Sequence, residues 1–196
     1  MEVVHLLSST VLFLVGIYVF FRYLMKLDLI ETLLWESFVL SITVAALAAA
    51  ARFAGIEAAL PLTGFFQNLA ATAGILGLIV VACYDALGKD PQTGVSYATL
   101  AIGFILFGLQ QTGVWPQVTT YVPLLAIPFL AIAGFLALGR KRLKKLGMYL
   151  LIAVLFMSLA MFRSYFIADE DQAVDVYNLL MAAAVLFFGL AASRRL

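Results

Sequence analysis

Charge is scarce in this chain. Only 12% of its 196 residues are charged, against 65% hydrophobic, whereas a soluble domain carries roughly 25% charged residues. A chain with so few polar side chains cannot coat itself with them, so its expected solvent is lipid. A single cysteine, Cys83, excludes an internal disulfide or a thiol pair. It lies in an apolar run and reads as a packing residue. A single histidine, His5, excludes metal sites built on several His or Cys ligands and haem held by two histidines of this chain. Gly-rich phosphate loops are absent. No lysine lies mid-span, which removes a retinal Schiff base. The formal net charge of +1 provides no field for a nucleic acid partner. No cofactor and no metal is called for.

What is present is length and oiliness. Seven apolar runs, near 3–24, 32–53, 63–87, 95–115, 120–139, 146–168 and 172–192, each approach the roughly 20 residues that a bilayer-spanning helix takes. Backbone groups in lipid must be satisfied within the segment, and the ten-residue alternation of a membrane β-barrel is missing, so the runs are expected to be helices. The first run opens with Glu2 and has its basic residues, Arg22 and Lys26, after it. That order is opposite to a secretory signal, so this run is expected to be a retained span. The predicted fold is all-α: an integral membrane bundle of seven transmembrane helices, one domain over residues 1–196, with short connections. No three-plus-three inverted repeat is evident.

Basic residues set the expected orientation. Arg22, Lys26, Lys89, Arg140, Lys141, Arg142, Lys144, Lys145, Arg194 and Arg195 fall at one set of helix ends. Only Arg52 and Arg163 fall at the other, ten against two of the twelve. The positive-inside rule then places the N-terminus outside and the C-terminus in the cytoplasm. The expected location is the bacterial inner (plasma) membrane. The loop GRKRLKK is the strongest anchor; it reads as a topology signal touching anionic lipid, with partner docking as the alternative.

Threaded this way, the polar residues form two layers. The outer layer holds His5, Ser8 and Ser9 of the first run, Arg52, Gln67 and Asn68, Gln110 and Gln111, Arg163, and Asp175 with Asn178. Arg163 is expected roughly 7–8 Å deep in the sixth span, at about 1.5 Å per residue. Asp171, Asp175 and Asn178 share one helical face by their i, i+4, i+7 spacing, so Asp175 is the first candidate to pair with Arg163. The alternative is that Arg163 snorkels to the headgroups. Tyr165 and Tyr177 read as interfacial aromatics. The inner layer holds Glu36, more than a turn into the second span, near Ser37, Ser41, Tyr84 and Asp85. Glu36 is a proton or ion candidate because an intramembrane acid is costly. Pro123 and Pro128 predict a bend in the fifth span and a cavity beside it. AALAAAA in the second span predicts close helix approach.

The last run, DVYNLLMAAAVLFFGLAASRR, resembles the final helix of small bacterial relatives of the CREST-type seven-helix membrane hydrolases, the alkaline ceramidase group. Asp175 and Tyr177 match, while Asn178 stands where that group has a histidine. The resemblance implies the seven-helix fold without the zinc chemistry, because this chain lacks the metal-binding histidines.

The expected function is an outward-facing polar cavity that binds a lipid or small polar ligand. Arg163 would hold an anionic group, Asp175 would orient it, and Asn178, Gln67, Asn68, Gln110 and Gln111 would supply hydrogen bonds. Membrane lipids are the expected partners. The alternatives are an accessory subunit associating with other membrane subunits, a metal-independent lipid hydrolase using the outer carboxylates, and a proton-coupled transporter using Glu36 and Asp175.

Overall fold

The computed structural model describes residues 2–194. Arg195, one of the ten basic residues that set the expected orientation, lies outside the described residues. The described chain is helical, with no strand. Its α-helices are α1 (Glu2–Arg22), α2 (Leu29–Phe53), α3 (Leu60–Leu69), α4 (Ile75–Leu87), α5 (Thr93–Gln111), α6 (Val118–Leu138), α7 (Lys144–Met161) and α8 (Glu170–Ala192). A π turn over Ala70–Gly74 joins α3 to α4, so Glu57–Leu87 is one continuous helical segment. Among the described residues, seven helical segments are long and apolar enough to cross a membrane, with mean hydropathy from 1.4 to 2.2. Each overlaps one of the seven apolar runs, although the bounds of the third and sixth differ.

Short connections make successive segments antiparallel, which gives the bundle two distinct ends. The start of α1, the α2–α3, α5–α6 and α7–α8 connections lie at what we call the His5 end. The basic loop between α6 and α7 lies at the opposite, lysine-rich end. Gly88 closes α4 at φ 66°, a left-handed backbone that glycine adopts without a Cβ penalty. Asp169 opens α8, accepting from the Asp171 and Gln172 amides at 3.0 and 3.3 Å, which satisfies two of that helix's orphan donors.

The sixth segment departs from its expected span. The apolar run continues to residue 168, but α7 stops at Met161 and a 3-10 turn over Arg163–Tyr165 follows. Tyr165 and Phe166 are 82% and 75% exposed, so hydropathy had counted an exposed turn as buried helix. The break has a local cause. Arg163 folds back so that its Nη1 donates to the Ala160 carbonyl at 3.0 Å, one of the acceptors that a helix end leaves open. Arg163 is therefore a residue of the turn after α7, not a residue inside a span.

Around the bundle the packing order closes a ring. α1 packs on α2, α2 on α3 and α4, α4 on α6, α6 on α7, α7 on α8, and α8 back on α1. α5 stands outside this ring, chiefly against the π turn and α4, with slighter contacts to α2, α3 and α6, and most of its side chains are exposed. Close approach explains the contacts. A Cβ on Gly74 would lie 2.8 Å from the Phe38 Cα, and one on Gly103 of α5 would overlap the Ala73 backbone. Ala45, Ala46, Ala48 and Ala50 of the alanine-rich stretch are buried, as its small side chains predict. The middle of the ring is filled by Trp35, Phe38 and Phe188, with Phe38 edge-on to Phe188 at 5.9 Å. At the His5 end that packing gives way to a cavity.

Candidate functional site

The cavity has a volume of about 580 Å³, within the range of roughly 300–1,000 Å³ typical of small-molecule sites. Register alone sorts its lining. α3 contributes Leu60, Thr63, Gly64, Gln67 and Asn68, a spacing of three and four that keeps one helical face turned inward, and the π turn adds Ala70 and Ala71. α2 contributes Arg52 near its end and Ile42 and Phe38 further in; α8 contributes Tyr177 and Asn178 and, one turn deeper, Met181; α7 contributes Met157. The polar groups thus cluster toward the His5 end. The deeper wall of Phe38, Ile42, Ile75, Met157 and Met181 is apolar and buried.

Two guanidinium groups face this one cavity. Arg163 stacks on the Tyr177 ring with its Cζ 4.5 Å from the centroid, a cation–π geometry. Its Nε is buried and has no hydrogen-bond partner among the described residues. Arg52 is exposed and lies over Phe53 at 5.4 Å. Neither arginine makes an ion pair among the described residues. Asn178 is buried and donates its amide to Ser8 and Ser9, both at 3.1 Å. Pro123 lines the wall beside Thr119. A proline has no N–H, so the Thr119 carbonyl four residues before it lacks its usual helical donor. The cavity expected beside the proline-bearing helix is present.

The expected partnership between Asp175 and Arg163 is not what the structure contains. Asp175 Oδ1 lies 2.9 Å from His5 Nδ1 and accepts the Ser8 hydroxyl at 2.7 Å. The imidazole tautomer that matches a carboxylate acceptor carries its hydrogen on Nδ1. Asp171 Oδ1 lies 3.9 Å from the other ring nitrogen. The reason is helical phase: Asp175 and Tyr177 are two residues apart, about 200° around α8. If one faces α1, the other faces Arg163. Tyr177, expected among the interfacial aromatics, instead lines the cavity.

The same α1–α8 cluster sets a serine beside the one histidine. A serine nucleophile needs an imidazole to take its proton. Here the Ser8 hydroxyl points to the carboxylate that the imidazole also contacts. Asp175 thus stands between the two and serves as a tie between helices.

Of the expected site residues, Arg163, Asn178, Gln67 and Asn68 meet at the cavity. Gln110 and Gln111 do not line it, because α5 lies outside the ring. Gln111 is exposed, and Gln110 keeps a buried Oε1 without a partner. Glu36 lies toward the lysine-rich end, half-buried, far along α2 from the cavity's arginines. Asp85, also at that end, is buried and hydrogen-bonds with Trp35. Sequence reasoning placed Arg52 and Ser9 in the outer polar layer without naming them as ligand-binding residues, and left out Thr63 and Thr119. Arg52 carried a usable signal, as the one basic residue besides Arg163 at its end of the bundle. No protein-family model, no curated protein and no solved structure matches this chain.

Proposed function

We propose that this is a multi-pass membrane protein, with the N-terminus outside and the C-terminus cytoplasmic, whose outward-facing cavity binds a ligand bearing an anionic phosphate or carboxylate group. The observation that carries the reading is that two arginines without ion-pair partners among the described residues, Arg52 and Arg163, line one cavity at the end of the bundle that is poorest in basic residues. Cations at that end do not serve as cytoplasmic anchors. Nor does Arg163 satisfy itself fully, since its Nε–H is left without an acceptor, and a buried polar group in that state costs free energy. An anionic oxygen would complete it with a charge-assisted hydrogen bond. Asn68, Gln67, Ser9 and Asn178 supply neutral hydrogen-bonding groups around the same space. The inner (plasma) membrane location and the orientation rest on the distribution of basic residues. The likeness of the last helix to the CREST-type hydrolases is carried into this proposal as shared architecture alone.

Arg163→Leu tests the reading. Truncating one partner of a hydrogen-bonded charge pair costs about 2 kcal/mol or more, roughly a thirtyfold loss of affinity. Native mass spectrometry of the purified protein, with glycerol 3-phosphate and a lysophosphatidate as alternative probes, separates a free phosphate from a lipid headgroup. Loss of both adducts in the variant supports the proposal. Adducts unchanged by Arg163→Leu refute it.

A further inference from the structure

The wall of the cavity is incomplete on one side. α6 packs along α4 and the π turn, with no comparable contact to α3, and α5 makes only slight contacts with either α3 or α6. The π turn explains the divergence. Its wider turn shifts the helical phase, so α3 keeps to α2 while α4 keeps to α6. Between the parted helices the lining residues reach the surface. Leu60 is 50% exposed and Gln67 is exposed, yet both line the cavity. Gly64 sits in the same wall, and a Cβ built there meets no heavy atom within 4 Å. The α6 side of the gap is Thr119 and Pro123, where the helix has lost a backbone hydrogen bond.

Gln67 lies about two helical turns in from the start of α3, so the gap reaches along the flank of the bundle and is not confined to its end. A water-soluble ligand needs no flank entrance, because the cavity already carries its polar groups toward the end of the bundle. A lipid does, because its chain remains within the apolar layer while its head stays at the polar rim. The depth gradient inside matches such a molecule: arginines toward the His5 end, and Phe38, Ile42, Ile75 and Met157 below.

We infer that the occupant is a single-chain anionic lipid that enters sideways between α3 and α6, past Gly64. Its phosphate or carboxylate is held by Arg52 and Arg163, and its chain lies on the buried apolar wall. The inference rests on the proposed ligand-binding function and adds to it the class of ligand and its route.

Gly64→Phe projects a ring into the gap from a Cβ that meets no heavy atom within 4 Å, and Gly64→Leu projects a smaller group. Gly108→Phe is the control, since Gly108 also meets open space but lies on α5, away from the cavity. The measurement is transfer of a fluorescent oleoyl-lysophosphatidate from phosphatidylcholine vesicles to the full-length protein in nanodiscs. Thermal unfolding of each variant confirms its fold. Transfer at least tenfold slower in Gly64→Phe, intermediate in Gly64→Leu and unchanged in Gly108→Phe supports the inference. Equal transfer in all of them overturns the route, while leaving the anion-binding reading intact if Arg163→Leu still abolishes binding. Wild-type protein that binds glycerol 3-phosphate as tightly as the lysolipid overturns the ligand class. Wild type that binds neither probe overturns both readings.

Discussion

Asp175 holds α8 to α1 through one oxygen, and replacing it with leucine should loosen that contact by a calculable amount. Its Oδ1 contacts His5 Nδ1 at 2.9 Å and accepts Ser8 Oγ–H at 2.7 Å. The His5 and Asp175 side chains are 8% and 15% exposed, so screening by solvent is modest. Hydrogen bonds to charged groups contribute about 1.5–3 kcal/mol, whereas neutral interhelical bonds in membranes average about 0.6 kcal/mol. Ser8 has a second acceptor, the His5 carbonyl at 3.2 Å, to which its hydroxyl can return. His5 has no equivalent, because Asp171 is 3.9 Å from the other ring nitrogen and largely solvated. The loss is therefore one charged bond and not two, about 2 kcal/mol. Asp175→Asn, which keeps an acceptor oxygen, should lose less than half of that. Reversible unfolding in mixed micelles at neutral pH, or steric trapping in bicelles, gives the free energies. A double-mutant cycle with His5→Phe isolates the pair, with an expected coupling of about 1 kcal/mol or more, because residues in direct contact are not additive. Additivity within about 0.3 kcal/mol would refute the argument that His5 and Asp175 are energetically paired.

The packing and the orientation yield two further predictions. Gly103→Leu should destabilise the docking of α5 by about 1–3 kcal/mol, the usual cost of overpacking, because its Cβ would overlap the Ala73 backbone; Gly108→Leu on the same helix meets open space and should be neutral or slightly stabilising, and equal melting temperatures for the two variants would contradict this docking. For orientation, a cysteine placed at position 56 or 114 in a Cys83→Ala background should react with an impermeant maleimide in intact cells, and one at position 141 should react only after lysis; the reverse pattern would overturn the outside N-terminus.

Much of the architecture was legible because it depends on sums over local windows. Hydropathy averaged over about twenty residues gives seven crossings wherever their side chains point, and short connections then assign each polar residue to one end of the bundle. The basic residues obey the same counting. Local averaging also explains the error at α7. Tyr165, Phe166 and Ile167 are apolar, but the backbone had already left the helix at Phe162, and an arginine capping its own helix end carries no hydropathy signal.

The sequence by itself determined the helical class, the number of apolar segments and the end at which Arg52, Arg163, Asn178 and Asp175 would lie, because depth along a helix follows directly from residue number. Only the tertiary structure decided which of them meet. Rotation of each helix about its own axis is set by close contacts between distant segments, such as Gly74 against Phe38 and Gly103 against Ala73, and these are invisible to a count along the chain. That rotation sends Asp175 to His5 and Tyr177 to Arg163, keeps Gln110 and Gln111 out of the ring, and lets one π turn part α3 from α6 at the mouth of the cavity.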